Sequence, residues 1–169
     1  LIDEQNFQFT LNLFDFFKFT NCKFIYASSA SVYGFNKSFL EIKENENPIN
    51  LYSDSKLKID NYIRLDTNGF KKKMCSICGL RYFNVYGPGE NLKGRMASVI
   101  YQFYNQANQN NKINLFKGTK GYEDGEQLRD FIYIKDIIKI NMWFANNSFE
   151  SGIYNVGTGQ AKSFNSIAY

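Results

Sequence analysis

Apolar residues recur at helical spacing at the start of the chain: Phe7, Leu11, Phe14 and Phe17 stand three or four apart, which predicts an amphipathic helix over residues 1–20. Residues 23–27 form a short apolar run ending in small residues, the pattern of a buried, parallel strand. A polar stretch with Pro48 follows at 34–50 and reads as a loop. Leu57, Ile59, Tyr62, Ile63 and Leu65 among charges predict a helix over 52–66, ended by Gly69 and the lysines after it. A strand is expected from Cys75 to Asn84, then a sharp break at Gly87-Pro88-Gly89. Further along, the pattern predicts a helix at 96–108, a short strand at 113–116, a strand at 131–134, a helix capped by Asp136 and running through Trp143, and a strand at 152–156. Gly157-Thr158-Gly159 is its turn, and Ser163 can cap one more helix. Alternating strands and helices point to an α/β fold with a parallel sheet. Ligands of such sheets sit at the carboxyl ends of the strands, so the loops after Tyr26, Phe83, Phe116 and Val156 are where chemistry is sought.

Composition narrows the options. The chain has 169 residues, 44% hydrophobic and 21% charged, enough for one globular domain and its core. Seventeen Phe and 12 Tyr argue against disorder. No run of apolar residues is long enough to span a membrane, and the first residues do not have the pattern of a secretory signal. The absence of an initiator Met suggests an internal piece of a longer protein. A formal charge of +4 is modest, and the run Lys71-Lys72-Lys73 is better read as a solvated loop than as a nucleic-acid patch. Three Cys do not suggest a disulfide scaffold. Cys75 and Cys78 form C-x-x-C, but three apart on a strand they face opposite ways, which speaks against a shared metal or disulfide. With no His in the chain, the commonest metal ligand and general base is missing, and no metal site is expected. Chemistry falls to Tyr, Lys, Ser, Asp or Glu.

Tyr52 and Lys56 stand i, i+4 at the start of the helix expected at 52–66, so they share a face. A nearby ammonium stabilises a phenolate. A phenol tuned in this way can take a proton from a sugar hydroxyl while the carbon loses hydride. Such a pair arises about once by chance in a chain of this composition. Tyr33 and Lys37 are a second match, in a stretch without helical periodicity, and read as a decoy. An ordinary helix-surface pair is the alternative for Tyr52 and Lys56. The serines Ser28 and Ser29 at the end of the upstream strand tip the balance, because a hydroxyl there can share and orient the substrate hydroxyl.

With Ser, Tyr and Lys in that order, the stretches FIYASSASVYG, LYSDSK and GLRYFNVYGPGENLKGRMAS resemble the extended short-chain dehydrogenase/reductase superfamily. KGRMASV, INLFKGTKGYEDGEQLRDFIYIKDI and WFANNSFESGIYNVGTGQAKSFNSIA are similar to the ADP-L-glycero-D-manno-heptose 6-epimerase family within it, over nearly the whole chain. The resemblance implies a Rossmann-like, doubly wound parallel sheet with a smaller substrate-binding region. Residues 1–84 would belong to the NADP-binding part, 85–129 to the substrate-binding region, and 130–169 to the return to the core and the start of a C-terminal substrate part. It implies an isomerase that inverts C-6 of the heptose in ADP-D-glycero-D-manno-heptose through a 6-keto form, for lipopolysaccharide core synthesis. The cofactor implied is NADP, with NAD possible. The implied setting is cytoplasmic, as a homo-oligomer (a pentamer by family type), with no nucleic-acid or membrane partner. Two other readings stand beside it: another sugar-nucleotide epimerase, such as a UDP-hexose 4-epimerase, and a non-catalytic nucleotide-binding protein of the same fold. A dehydratase is disfavoured because Ser29-Ala30-Ser31 occupies the place of its acidic pair.

Residue roles follow from the same resemblance. Tyr52 matches the catalytic acid/base, Ser29 the assisting hydroxyl and Lys56 the cofactor-binding lysine. Val85 matches a cofactor contact, and Gln5 stands where an Asn usually meets the cofactor. Asn84 and Arg95 match substrate contacts, and Lys93 matches a second acid/base, a role that suits a lysine neutralised by burial. Gln102 replaces a substrate-contacting His. Phe116, Lys117, Gly118 and Thr119 match a loop at the nucleotide end of the substrate. Arg129 matches a substrate-binding arginine whose fork suits a pyrophosphate, the bland alternative being a salt bridge to Asp130. No glycine-rich phosphate loop occurs in the chain, and a late substrate-holding Tyr is not reached. The expectation is that the glycine-rich N-terminal unit is missing and that the 169 residues alone are inactive.

Overall fold

The computed structural model describes residues 3–71, 75–119 and 121–169. Lys72 and Lys73 of the lysine run, and the first two residues of the expected N-terminal helix, lie outside the described residues. The chain divides into two compact units. One comprises Leu1–Tyr82 and Ile140–Val156, the other Phe83–Lys139 and Gly157–Tyr169.

The first unit is built on a parallel sheet. Helix α1 (Phe9–Phe17), entered through a wider π-helical turn at Asp3–Gln8, buries Leu11 and Phe14. Strand β1 (Lys23–Ser29) follows. Helix α2 (Leu51–Asp66) starts at a capping box: Asn50 accepts the Ser53 N–H at 2.9 Å, while the Ser53 hydroxyl takes the Asn50 N–H at 3.1 Å. It ends where Asn68 and Gly69 turn into left-handed conformations, φ 49° and 66°. Strand β2 (Ser76–Tyr82) pairs parallel with β1, Lys23 opposite Ser76 and Ser29 opposite Tyr82. Strand β5 (Gly152–Val156) pairs parallel with the other edge of β2, giving the order β1-β2-β5. Phe14, Tyr26, Ile59, Ile63, Cys75 and Ile77 form the core between this sheet and the helices, each such side chain contributing about 1.5–3 kcal/mol by leaving water. Gly79 is opposite Tyr26, and a Cβ there would come within 2.5 Å of the Tyr26 hydroxyl oxygen, so only glycine lets the phenol lie across β2.

The second unit has a mixed sheet. Strand β3 (Asn84–Tyr86) pairs parallel with β4 (Leu128–Tyr133), and β6 (Ala161–Ser163) pairs antiparallel with β4. Ser98 caps helix α3 (Val99–Asn110), and Ser163 caps the short α5 (Phe164–Ala168) as its sequence suggests. Phe103, Phe116, Phe131 and Phe164 cluster, Phe103 and Phe131 meeting Phe164 edge to face and Phe116 lying tilted against Phe103 and Phe164. Helix α4 (Ile134–Asn146) starts in this unit and ends in the first.

Several elements differ from expectation. The strand expected from Cys75 to Asn84 breaks at Phe83 into β2 and β3, which belong to different sheets. Residues 113–116 are not a strand: Asn114 gives its N–H to the Gln106 side chain at 2.8 Å and Phe116 accepts from Gly125 at 2.9 Å, so the backbone is satisfied locally, without a ladder. Phe116 is therefore not a strand end, and β4 ends at Tyr133, where α4 follows directly. Strand β4 begins at Leu128 rather than Phe131, and α4 begins at Ile134, leaving Asp136 in its first turn, paired with Lys139 at 2.9 Å, rather than at its cap. The antiparallel β4–β6 pair has no counterpart in a purely alternating α/β reading.

Candidate active site

The first unit gathers three of the expected side chains around the carboxyl end of β1. Ser29 is its last residue, and β1 passes directly into a 3₁₀ turn at Ala30–Tyr33. The buried Ser29 hydroxyl oxygen accepts from the Ser31 N–H at 3.2 Å and from the Ser31 hydroxyl at 2.9 Å. With its acceptor capacity used, what Ser29 has left to offer a ligand is its proton.

Tyr52 lies in the first turn of α2 and is 43% exposed, whereas Lys56, one turn on, is only 9% exposed. The Lys56 ammonium donates to the Ala27 carbonyl at 3.0 Å and stands 5.9 Å from the centre of the Tyr52 ring. Burial pushes the Lys56 amine below its ordinary value, with the charge of Asp60 opposing. Lysine carries three N–H donors, so two remain beyond Ala27. A cation with spare donors, at the carboxyl end of a parallel strand, suits the ribose diol of a dinucleotide. Tyr33, the decoy, is fully buried: its hydroxyl donates to Asn155 at 2.7 Å and its ring carries the Arg81 guanidinium at 4.9 Å.

Beneath Lys56 runs a network that sequence reasoning did not find. Asp60 accepts from Tyr26 at 2.9 Å, from Ser28 at 3.0 Å, and from the Arg81 Nε and Nη2 at 3.1 and 2.7 Å. Arg81 also reaches Glu46, which Arg64 grips through both carboxylate oxygens at 2.7 and 2.8 Å. Burial raises the Asp60 carboxyl against the pull of Arg81, Tyr26 and Ser28. For Glu46 the two guanidinium groups overcome burial and hold the carboxyl below its usual range. Cys78, on β2, is fully buried, and burial pushes its thiol up to about 12. Gln5, expected at the cofactor, is exposed in the π-helical turn.

The expected residues of the second unit are held differently. Asn84 opens β3 and donates to the Asp130 carbonyl at 3.0 Å, and Val85 follows, half-buried. Lys93 joins two 3₁₀ turns, Glu90–Leu92 and Gly94–Met96, and is exposed, as is Arg95; the burial expected of Lys93 is not found in this unit. The carboxylate of Glu90 sits under that loop, accepting from the Gly87 N–H at 3.0 Å and from the Ser98 N–H and hydroxyl. Burial pushes Glu90 up, but those donors and the Lys93 charge outweigh it and hold the carboxyl below its usual range. Gln102 spends its amide N–H on the Ala97 carbonyl at 2.9 Å, bracing the same loop. Phe116, Lys117, Gly118 and Thr119 are exposed, with the Gly118 N–H held by Asp124 at 2.6 Å and the Lys117 carbonyl by Gln127 at 2.7 Å. Arg129 donates to the Leu128 carbonyl at 2.7 Å and lies 5.7 Å from the Phe164 ring centre. Asp130 binds the 157–159 turn instead, accepting from the Thr158 N–H and hydroxyl at 2.9 and 2.7 Å and the Gly159 N–H at 2.8 Å.

Known proteins share this chain's pattern. An ADP-L-glycero-D-manno-heptose-6-epimerase of Thiobacillus denitrificans is 44% identical over 165 residues, which are 98% of this chain and 49% of that protein. The chain spans about half the length of the curated relatives it matches. Among solved structures, the Helicobacter pylori ADP-L-glycero-D-manno-heptose-6-epimerase superposes with a TM-score of 0.82 at 41% identity, over 96% of this chain and 48% of that one. A UDP-N-acetylglucosamine 4-epimerase from Methanobrevibacter ruminantium, solved with UDP-N-acetylmuramic acid, gives 0.78 at 30% identity, over 98% and 51%. The sheet and its flanking helices are thus the Rossmann-like fold of these epimerases. The family described as NAD dependent epimerase/dehydratase matches residues 2–157, and the chain belongs to it.

Proposed function

We propose that the protein carrying this chain is an ADP-L-glycero-D-manno-heptose 6-epimerase that uses NADP and serves lipopolysaccharide core synthesis. The observation that carries the reading is the Lys56 ammonium, buried between the Tyr52 ring and the Ala27 carbonyl, two residues before Ser29. The names of the 44%- and 41%-identical relatives support the substrate. When bound, the nicotinamide cofactor accepts and returns a hydride. Ser29 donates its remaining proton to the reacting sugar oxygen and fixes its direction. Tyr52 takes the proton of the C-6 carbinol as the 6-keto form of the sugar arises. Lys56 sets a cation beside the Tyr52 ring and, with Val85 and Gln5, holds the cofactor. Epimerisation must serve both faces of a ketone, and Lys93 supplies the proton on the second face, after which Tyr52 gives up and Lys93 regains a proton by exchange with solvent. Asn84, Arg95, Gln102 and Arg129 hold the sugar and pyrophosphate, and Phe116, Lys117, Gly118 and Thr119 line the nucleotide end. Residues 1–84 serve mainly the cofactor and 85–129 mainly the substrate, in a cytoplasmic homo-oligomer.

The test is to incubate the complete protein with ADP-D-glycero-D-manno-heptose and NADP and follow the configuration at C-6 by NMR. Inversion is expected. UDP-glucose and UDP-N-acetylglucosamine form the second arm, motivated by the structural likeness to a 4-epimerase. Turnover of those and not of the heptose substrate overturns the assignment.

A further inference from the structure

The Lys56–Asp60 side of α2 is matched to β1 residue by residue. Tyr26 and Ser28 are two apart on β1, so they face the same way, and both donate to Asp60. Ala27, between them, gives its carbonyl to Lys56. Lys56 and Asp60 are i, i+4 and share a face of α2. Arg81 is opposite Ser28 in the β1–β2 register and adds two bonds to the same carboxylate. Asp60 is therefore fully buried with four hydrogen bonds from three side chains on two strands. Ser29 is the next residue of β1, and Tyr52 is one turn before Lys56.

We infer that Asp60 is a positioning residue for the reaction proposed above, seating α2 on β1 so that Lys56 and Tyr52 meet Ser29 in fixed register, with its own buried carboxylate one helical turn from Lys56. The inference rests on the Ser29–Tyr52–Lys56 reading. Charge bookkeeping supports it: Glu46 and Asp60 balance Arg64 and Arg81, so removing one carboxylate leaves an excess positive charge beneath Lys56. The charged and titratable groups that face Lys56 among the described residues are Tyr52 and Asp60 on α2, and Tyr26 on β1 acts through its hydrogen bond to Asp60. Arg81 on β2 acts through Asp60, and Tyr33 of the Ala30–Tyr33 turn lies against Arg81.

The test is Asp60→Asn in the complete protein, a change that removes the charge and keeps one of the two acceptor oxygens, Tyr26 using one and Ser28 and Arg81 the other. We expect kcat to fall about tenfold at nearly constant KM. The alkaline limb of the kcat–pH profile should move down by about one unit, because an ammonium with less negative charge nearby loses its proton sooner. Asp60→Glu should return the limb toward its original position. Tyr26→Phe, which removes a neutral donor, should lower stability and leave the limb unmoved. If Asp60→Asn lowers stability while the limb stays in place and Tyr52→Phe is inactive, the inference fails and the dyad reading stands. If Tyr52→Phe remains active, it is the dyad reading that fails. Should Asp60→Asn not fold, the pair Tyr26→Phe and Ser28→Ala loosens the lock without a charge change. A fall in kcat of about fivefold at constant KM is then expected, and an unchanged kcat overturns the inference.

Discussion

The two units differ in how they hold Ser29 and Lys56 on one side and Lys93, Arg95, Phe116 and Arg129 on the other. In the first, Ser29 and Lys56 are buried, Lys56 fixed by the Ala27 carbonyl of β1 and Ser29 by Ser31 in the 3₁₀ turn that follows β1, while Tyr52 beside them is 43% exposed. In the second, Lys93, Arg95, Phe116 and Arg129 are exposed on loops or a strand margin, and the buried polar groups, Glu90 and Gln127, hold backbone instead. The contrast follows from the tasks proposed for them. Proton transfer needs groups preset to a fraction of an ångström. A pocket for a charged, flexible substrate tolerates side chains that settle when the ligand arrives. Substitutions in the first unit should therefore change rate or stability, and those in the second should change binding.

Tyr52→Phe gives the largest expected effect. It keeps the ring beside Lys56 and removes only the proton acceptor, so turnover should fall by about 10³-fold or more while cofactor affinity, measured by fluorescence titration, stays within about twofold. Loss of cofactor binding in parallel would mean that Tyr52 is structural. Next comes Arg81→Ala. It leaves Asp60 and part of Glu46 buried without their cation, for which about 3–5 kcal/mol of stability is expected to be lost in urea unfolding. A loss under about 1 kcal/mol would show that the network contributes little beyond its own desolvation.

The elements of the first unit were legible in the residues, whereas the exposure of Lys93 was not, since its expected role called for burial. The alternation of β1, α2 and β2 follows from apolar periodicity, and i, i+4 spacing alone puts Tyr52 and Lys56 on one face. The Asn50–Ser53 cap was not singled out, because residues 34–50 read only as a polar loop. Asp60 and Glu90 were not either, because a carboxylate in a helix or loop reads as solvated until the strands that bury it are known. Arg81 was hidden in the same way, because nothing in the residues shows that this part of β2 is buried on both faces. The expected strand at 113–116 failed because short apolar runs carry no information on whether a partner strand exists. The β4–β6 pairing is non-local and leaves no periodic trace.

Glu90 sharpens the comparison from the other side, since it is buried and triply hydrogen-bonded under the loop that carries Lys93 and Arg95. Its carboxyl is held below the ordinary value of about 4.3 in the folded protein. The stabilisation is therefore complete above that pH and is lost as the pH falls further, through the folded value. Glu90→Gln should cost about 1–3 kcal/mol at neutral pH by leaving buried donors poorly matched. It should also flatten the acid side of the stability–pH curve. Because the loop rather than the proton-transfer pair is disturbed, KM for the nucleotide sugar should rise more than kcat falls. A kcat loss at constant KM would place the loop among the preset groups and erase the distinction between the units.

The smallest effect is expected at Arg129. Its guanidinium is propped between the Leu128 carbonyl and the Phe164 ring, which presents a flat fork of donors outward from β4. Arg129→Lys keeps the charge but gives up the stacking and the paired donors that match two phosphate oxygens. The residue is exposed, so unfolding free energy should change by less than about 0.5 kcal/mol. The loss should appear as a rise of about fivefold in KM, or about 1 kcal/mol of binding, with kcat nearly constant. Competition with ADP locates the contact. If the fork grips the pyrophosphate, the inhibition constant of ADP should weaken by the same factor as KM, whereas that of adenosine should not move. Equal weakening of adenosine would shift Arg129 to the base or ribose. No change in either would leave it as the prop of Phe164, a structural part of a unit otherwise read as ligand-organised.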